Sequence, residues 1–412
     1  MDKLVVRLYN VRFGDGVLIS VPDRDEAGDP LTRHILIDVG NAASKEGGEN
    51  EVFTPVFKDI LKVLDGRPLD LYVATHEHMD HVQGLLWASK FADENLAAKL
   101  NIQHVWLPAS AHPEYYDTHQ EAKKKLALAS EAYHLAGKAL AASGEPVPEA
   151  VQILMRNNNR FLAASPDGLS HGRTADCIEF IRRLTDQDHT HYVHRSIGAT
   201  SHGVEPFDLT GAHPFREAEI EIWAPEEDSS EYYGRFKPTA LGAAPGASPL
   251  AVDGEVALPP AGVDAGAFYN LVTRRQGGFV DNLLAIDKAA NNSSIVFCLE
   301  WRGWKLLFPG DAELRSWKEM NKEGVLSPIH FLKIGHHGSH NGTPDAELLA
   351  KILPVPAPDN RQRRAAVSTF PDTYSGIPHQ ETFDELRDVH GCILSTTMGL
   401  ADGEAQILEF EG

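Results

Sequence analysis

Residues 75–81 carry three histidines and one aspartate in the order His-x-His-x-Asp-His. The cluster directly follows residues 69–74, a largely apolar run that predicts a short buried strand. Neutral imidazole and carboxylate are the ligands that suit Zn²⁺ and chemically similar metals. A strand that ends in such a turn can direct several ligands at one point. The motif therefore predicts a metal site at a strand end, and the fold must accommodate that site.

Two later segments also end in possible ligands. Residues 306–311 are an apolar run that ends in Gly310 and Asp311, and residues 333–339 place His336 and His337 at the tip of another predicted strand. A carboxylate at a strand end can bridge two cations, although an aspartate after glycine is also common in ordinary turns. Three strand ends with such side chains fit one site at one edge of a sheet.

Composition and charge restrict the class of protein. The 412 residues are 42% hydrophobic and 24% charged, which fits two domains or one large α/β unit with a sizeable core. We expect no membrane-spanning segment, no signal peptide and no membrane partner. Three scattered cysteines form no disulfide framework, so a reducing, cytoplasmic setting is expected. The net charge of −21 disfavours long duplex nucleic acid but not a small phosphorylated substrate.

The predicted strands cluster at both ends of the chain. We expect strands at 4–11, 16–21, 34–38, 71–74, 101–107, 220–224, 294–300, 304–308, 331–334, 365–369, 392–396 and 405–410. We expect helices at 51–64, 82–91, 176–184 and 380–389, and helical structure over 112–163 that is clearest at 121–142. Residues 238–266 are rich in Ala, Gly and Pro and predict a long surface loop. Two sheets, each covered by helices on one side, would fit this order.

Four segments of the chain, which include the three strand ends described above, together resemble motifs of the metallo-β-lactamase-fold hydrolase superfamily. Within it, the chain is similar to the hydrolase domain of the ComEC DNA-uptake channel and to phosphorylcholine esterases of the same branch. Residues 10–16 with 35–40 resemble the opening strands, 75–81 the first metal motif, 291–311 the late strand pair, and 333–339 a Lys-x-Gly-His-His-Gly-Ser signature. The resemblance implies an α/β fold, the αββα sandwich, as a single domain of residues 1–412 with 110–290 as an insertion or elaboration.

The resemblance also implies a site with two divalent cations. The ligands that it implies are His76 and His78 for the first cation, Asp80, His81 and His337 for the second, and Asp311 as a bridge between them. Asp80 and His336 are the expected proton-handling groups, and Asp38 is the expected outer partner of a ligand imidazole. Imidazole ligands favour zinc, while the carboxylates leave manganese or iron open.

One position departs from the family pattern. Many members have a further imidazole before the late strand pair, where this chain has Ala290, Asn291 and Asn292. Either the first cation keeps an open or water-filled position, or a histidine of the insertion serves. The candidates are His171, His189, His191, His194, His202 and His213.

Three further residues are candidates for substrate binding. Lys333 could neutralise a phosphate, although it could also simply flank its strand, and His340 and His379 could lie near the mouth of the site or in surface turns. We expect a hydrolase that acts on a phosphodiester through a water activated by the two cations, with a small phosphodiester, a nucleotide or a short single strand as substrate. A lactone or carboxyester hydrolase and a non-catalytic, metal-binding interaction module remain alternatives.

Overall fold

The computed structural model describes residues 2–42, 50–90, 94–143, 147, 149–163, 169–170, 172–198, 204–234, 279–370 and 377–412. The predicted loop at 238–266 lies outside these residues, as do His171 and His202. None of the described helices combines the length and the apolar character that a bilayer span requires.

Thirteen strands are found in the described part of the chain. They are β1 Lys3–Tyr9, β2 Gly16–Arg24, β3 Pro30–Val39, β4 Leu71–Val73, β5 His104–Pro108, β6 Thr190–Val193, β7 Ala218–Ala224, β8 Val296–Trp301, β9 Trp304–Phe308, β10 Phe331–Lys333, β11 Arg364–Val367, β12 Ile393–Thr396 and β13 Ala405–Glu411. Each of the twelve predicted strands coincides with one of them, and β6 was not predicted.

The helices lie between and after these strands. They are α1 Phe53–Leu64, α2 Met79–Lys90, α3 Leu96–Lys99, α4 Tyr115–Thr118, α5 Gln120–Ser143, α6 Glu149–Asn157, α7 Thr174–Arg182, α8 Phe279–Asn292, α9 Leu314–Lys322, α10 Ala346–Ile352 and α11 Gln380–Asp384, which continues as a π-helical turn, Glu385–Val389. Each predicted helical region contains helix, with α4, α5 and α6 inside 112–163, whereas α3, α8, α9 and α10 were not predicted.

The strands form two mixed sheets, which confirms the α/β class. The seven-stranded sheet has the order β13-β1-β2-β3-β4-β5-β6, and the six-stranded sheet has the order β12-β11-β10-β9-β8-β7. In each sheet antiparallel strands lead into parallel ones, from β3 to β6 and from β9 to β12. The carboxyl ends of neighbouring parallel strands meet at one edge of a sheet. This topology brings distant strand-end residues together.

Three hydrophobic clusters organise the described core. One contains side chains of both sheets, such as Ile35 and Val73 with Phe297 and Phe308. The second packs α1, α2 and α7 against the first sheet, and the third packs α9 and α10 against the second sheet. Side chains alternate between the faces of a strand, so Leu36 belongs to the helix-covered cluster while Ile35 belongs to the shared one. The helices at 110–290 add a smaller cluster in which α5, α6 and α8 pack together.

Gly14 and Gly40 let the loops after β1 and β3 approach the backbone of the first metal motif closely. The Asp15 N–H donates to the Asp80 carbonyl at 3.0 Å, and the Gly40 N–H donates to the Asp15 carbonyl at 3.0 Å. A Cβ atom on Gly40 would lie 2.1 Å from the carbonyl carbon of Asp80 and 2.2 Å from the His81 nitrogen. Any side chain at this position would therefore displace the backbone that carries the ligands.

We expect Gly40→Ala to lower the free energy of unfolding by about 1–3 kcal/mol or more, because the methyl group meets backbone atoms that cannot move away separately. Chemical denaturation measures this change. Gly137→Ala is the matched control, since a Cβ there meets only the Met155 methyl at 3.5 Å inside α5. This control should be neutral or stabilising by up to about 1 kcal/mol. Equal stability of Gly40→Ala and wild type would contradict the close approach.

Candidate metal centre

Four buried side chains meet where the two sheets present their strand ends. One ligand atom from each of Asp80, His81, Asp311 and His337 lies within 4.8 Å of the others. Asp80 and His81 begin α2 just after β4, Asp311 follows β9, and His337 follows β10. The predicted convergence of three strand ends therefore exists in the structure.

The distances within this group fit a shared cation. His81 Nε2 lies 3.2 Å from Asp311 Oδ2, and His337 Nε2 lies 3.1 Å from Asp80 Oδ2 and 3.9 Å from Asp311 Oδ2. Two ligands of one tetrahedral zinc ion lie about 3.3 Å apart when each bond is about 2.0–2.1 Å long. Asp80 Oδ1 supports the same reading, since it is buried without a hydrogen-bond partner among the described residues.

In each imidazole ring of this group, the outer nitrogen, which points away from the other ligand atoms, faces an oxygen that can accept a hydrogen bond. His81 Nδ1 donates to Asp38 Oδ2 at 2.8 Å, and His337 Nδ1 donates to the Ser368 carbonyl at 3.3 Å. A neutral imidazole carries one proton, so each Nε2 then presents a lone pair. Both lone pairs point at carboxylate oxygens. Positive charge between nitrogen and carboxylate removes this repulsion, and either a metal ion or a second proton on the ring can supply it.

His76 and His78 show the same pattern beside the four-residue group. The Thr75 hydroxyl donates to Asp38 at 2.7 Å, so it accepts from His76 Nδ1 at 3.0 Å. Asn158 donates its amide protons to the Leu154 carbonyl and to Asp287, so its oxygen accepts from His78 Nε2 at 3.0 Å.

The inner nitrogens of these two rings therefore face each other without protons when the rings are neutral. His76 Nε2 and His78 Nδ1 are 3.0 Å apart, and both rings are buried. Two imidazole lone pairs at this distance repel each other unless a cation lies between them. The pair therefore fits a second cation, with donors of the type that zinc prefers.

The pKa values of the buried carboxylates depend on these imidazoles. When a second proton on each ring, rather than a metal ion, faces the carboxylates, the His81 charge and the hydrogen bond from His337 outweigh burial and lower the pKa of Asp80 to about 2. Burial likewise opposes the ionised form of Asp311, yet His81 and His337 hold its pKa well below the usual range. Burial raises the pKa of Asp38, although the hydrogen bonds from His81 and Thr75 favour its carboxylate.

A second group of possible ligands lies next to the first. Ligand atoms of Asp287, Glu313 and His336 are within 4.8 Å of one another. The His336 side chain is 23% exposed, and its backbone N–H donates to Asp311 Oδ1 at 2.9 Å. Burial would lower the pKa of His336, but Asp311, Glu313 and Asp287 together raise it. His336 therefore connects the two groups and reaches the surface.

The candidate substrate-binding residues have contacts of their own. Lys333 is buried and forms an ion pair with Asp15. The ring of His340, on the loop that follows His337, lies 4.8 Å from the ring of His379, which directly precedes α11. His379 Nδ1 is 3.0 Å from Thr382 Oγ1. Their substrate-binding roles stay predictions.

The histidines of the insertion make their contacts elsewhere. His189 and His191 pack on His104, His194 packs on Phe207, and His213 packs on Trp106. Across the described ranges, His76 and His78 have no third His, Cys, Asp or Glu ligand grouped with them. Asp287 Oδ1 approaches the outer side of His78, 3.7 Å from Nε2.

Sequence reasoning missed Asn158, Asp287 and Glu313. Asp287 and Asn291 are four residues apart on α8, and the Asn291 amide donates to Glu313 at 3.0 Å. That spacing places both side chains on one helix face, which was the available signal. Asn158 has no such signal, because only the folded insertion brings it to His78.

No protein-family model matches this sequence, and no curated protein matches it. The buried His/Asp cluster and the two mixed sheets are consistent with the family resemblance described above. The geometry by itself shows a site that could hold metal ions.

We expect Asp311→Asn to lose at least one bound cation per chain, because this carboxylate faces both His81 and His337. Plasma mass spectrometry after zinc loading and desalting measures the content. The stabilisation by zinc, about 2.7 kcal/mol at 100 times the Kd, should fall with it. Asp359→Asn is the control, since Asp359 lies at the surface beside His330 and Arg361. Unchanged metal content in Asp311→Asn would refute the site.

Asp38→Asn should weaken zinc affinity by about 10–100-fold, because an amide in place of the carboxylate no longer enforces the proton on His81 Nδ1. Competition with a chromogenic chelator measures the Kd. Equal affinity of the variant and wild type would show that Asp38 does not orient the ring.

Proposed function

We propose that this protein is a metal-dependent hydrolase with two divalent cations. One observation carries the proposal: four histidine rings donate outward to accepting oxygens and turn their free nitrogens inward. His76 and His78 would hold the first cation, Asp80, His81 and His337 the second, and Asp311 both. Zinc suits these ligands best, and manganese or iron would suit the carboxylate-rich group.

The fold that we propose is the αββα sandwich of the metallo-β-lactamase superfamily. The shared cluster with side chains of both sheets, and the two clusters that join helices to one sheet each, support four layers. The residues at 110–290 would be an elaboration of this single domain, although β6 and β7 within them extend the two sheets at their edges.

When bound, the two cations would acidify a coordinated water and polarise the oxygen of the substrate. The chain's own groups would handle the protons. Asp80 Oδ1 is buried and accepts no hydrogen bond from the described residues, so it can accept a proton inside the site. His336 is half-buried and hydrogen-bonded to Ser339 at 3.0 Å, so it can exchange that proton with solvent.

We propose a phosphodiester as the substrate class. The motif resemblance favours phosphoester bonds, and a cation pair suits the charge of a phosphoryl group. The net charge of −21 favours a small phosphodiester, a nucleotide or a short single strand over long duplex nucleic acid.

We expect the zinc- or manganese-loaded protein to hydrolyse bis-p-nitrophenyl phosphate, and Asp80→Ala to reduce kcat by at least about 100-fold with an unchanged circular dichroism spectrum. Asp388→Ala is the control, because Asp388 is exposed and pairs only locally with Arg387. Full activity of Asp80→Ala would rule out the proposed proton transfer. Cleavage of lactone or carboxyester probes without any phosphodiester hydrolysis would show that the substrate is a lactone or carboxyester and not a phosphodiester.

The alternative of another class is a non-catalytic metal-binding module. Fewer than one equivalent of metal after purification with added Zn²⁺ or Mn²⁺ would contradict the dinuclear hydrolase. Two equivalents without turnover of any ester probe would favour the module, whereas two equivalents with turnover support the hydrolase.

A further inference from the structure

A group of possible ligands lies beside the two proposed cation positions and is separate from their ligands. Asp287 on α8, Glu313 directly before α9 and His336 after β10 each present one ligand atom within 4.8 Å of the others. His336 Nδ1 lies 3.8 Å from Glu313 Oε1. Around an octahedral ion with bonds of about 2.0–2.3 Å, neighbouring ligands lie about 3 Å apart and opposite ligands about 4–4.6 Å apart. The three side chains therefore need only small adjustments to hold one cation.

The two carboxylates of this group have imidazoles as their only possible cationic partners in the described part of the chain. The Asp287 and Glu313 side chains are 12% and 7% exposed. Among the described residues, Asp287 lies within ion-pair distance of His78 and Glu313 within ion-pair distance of His336, and neither carboxylate has such a contact with lysine or arginine. Buried carboxylates are normally paired with a charged group or coordinate a metal ion. A divalent cation would supply the charge that these two carboxylates lack.

Amide groups satisfy the hydrogen bonds of both carboxylates but not their charge. Asn291 Nδ2 donates to Glu313 Oε1 at 3.0 Å and to Asp287 Oδ2 at 3.4 Å. Asn158 Nδ2 donates to Asp287 Oδ1 at 2.8 Å. Both donors are neutral, so the negative charges stay uncompensated. The Asn291 amide lies beside both carboxylates, where a bound cation would also lie.

The amide oxygen of Asn291 is an independent observation that points to a cation. Asn291 is fully buried, and its Oδ1 accepts no hydrogen bond from the described residues. Oδ1 and Nδ2 of one amide are about 2.3 Å apart, so this oxygen lies next to the two carboxylates. A half-turn of the amide exchanges the two atoms and turns the oxygen toward the carboxylates. That turn is unfavourable without a cation and favourable with one, because a cation attracts all three oxygens.

We propose that Asp287, Glu313 and His336 form a third divalent-cation site, with the Asn291 amide oxygen as a further ligand. Two carboxylates, an amide oxygen and one imidazole are a harder ligand set than the histidine-rich centre, and such a set suits Mn²⁺. The site goes beyond the two cations of the proposed function, because none of its residues is a ligand of that pair. The His336 side chain, which is 23% exposed, gives the site access to solvent.

A cation in the third site would change what His336 can do. The ring nitrogen that binds the cation could not exchange protons with solvent at the same time. Excess Mn²⁺ should therefore slow the zinc-loaded protein, which makes the third site inhibitory. This consequence rests on the proposed function, whereas the binding of the cation does not.

The binding test counts cations on the zinc-loaded protein. The protein is loaded with zinc, desalted and titrated with Mn²⁺, and the electron paramagnetic resonance signal of free Mn²⁺ measures how much is bound. Plasma mass spectrometry measures zinc in the same samples. We expect one further equivalent of bound Mn²⁺ without loss of zinc. No bound Mn²⁺, or Mn²⁺ that binds only in exchange for zinc, would overturn the inference.

Two variants locate the bound Mn²⁺. Glu313→Gln and Asp287→Asn each keep an oxygen that accepts from Asn291 and remove one negative charge. Each should weaken Mn²⁺ binding by at least about 10–100-fold, with zinc content unchanged in Glu313→Gln. Glu319→Gln is the matched control, because Glu319 lies on α9, is 28% exposed and pairs with Lys322. If one variant fails to fold, the other decides alone, and wild-type Mn²⁺ affinity in the folded variants overturns the inference.

Failure of the proposed function gives a different result. Fewer than two equivalents of zinc, together with Mn²⁺ binding that is lost in Glu313→Gln, would contradict the cation pair and still support the third site. In the active protein, excess Mn²⁺ should lower kcat of wild type and of Glu319→Gln but not of Glu313→Gln. Equal inhibition of wild type and Glu313→Gln would overturn the inhibitory role of this site.

Discussion

This centre depends on which nitrogen carries the proton in each of four buried imidazole rings. Asp38, Thr75, Asn158 and Ser368 accept from the outer ring nitrogens, so the inner nitrogens face one another or carboxylates. Without water, such an arrangement is unfavourable unless positive charge compensates it. The buried strand ends could therefore hold a cation, and the lowered pKa values of Asp80 and Asp311 show that these carboxylates are stabilised by neighbouring positive charge.

The groups that orient the rings come from separate parts of the fold. Asp38 is 43 residues from His81, Asn158 is 80 residues from His78, and Ser368 is 31 residues from His337. The parallel strands bring Asp38 and Ser368 to the edge where the ligands lie. The insertion brings Asn158 to His78, because Asn158 follows α6 and that helix packs with α5 and α8.

Elements with a clear local pattern were predictable. The two-residue turn between β8 and β9 is one case, since Arg302 and Gly303 both adopt positive φ, as such a hairpin requires. β6 is the opposite case: four residues with polar positions become a strand only by pairing with β5. The helix α8 was not predicted, and it ends at Asn292. There Asn292 accepts from the Ser316 N–H at 2.8 Å, a tertiary contact that the sequence does not reveal.

The sequence by itself determined the metal-ligand motifs and their attachment to strand ends, because residue type and spacing suffice for both. Only the tertiary structure decided which nitrogen of each ring turns inward, that Lys333 is engaged by Asp15, and that Glu77 pairs with Arg160. These outcomes depend on partners that folding brings together from distant segments. Hydrogen-bond direction and charge balance are properties of such contacts, and no local pattern encodes them.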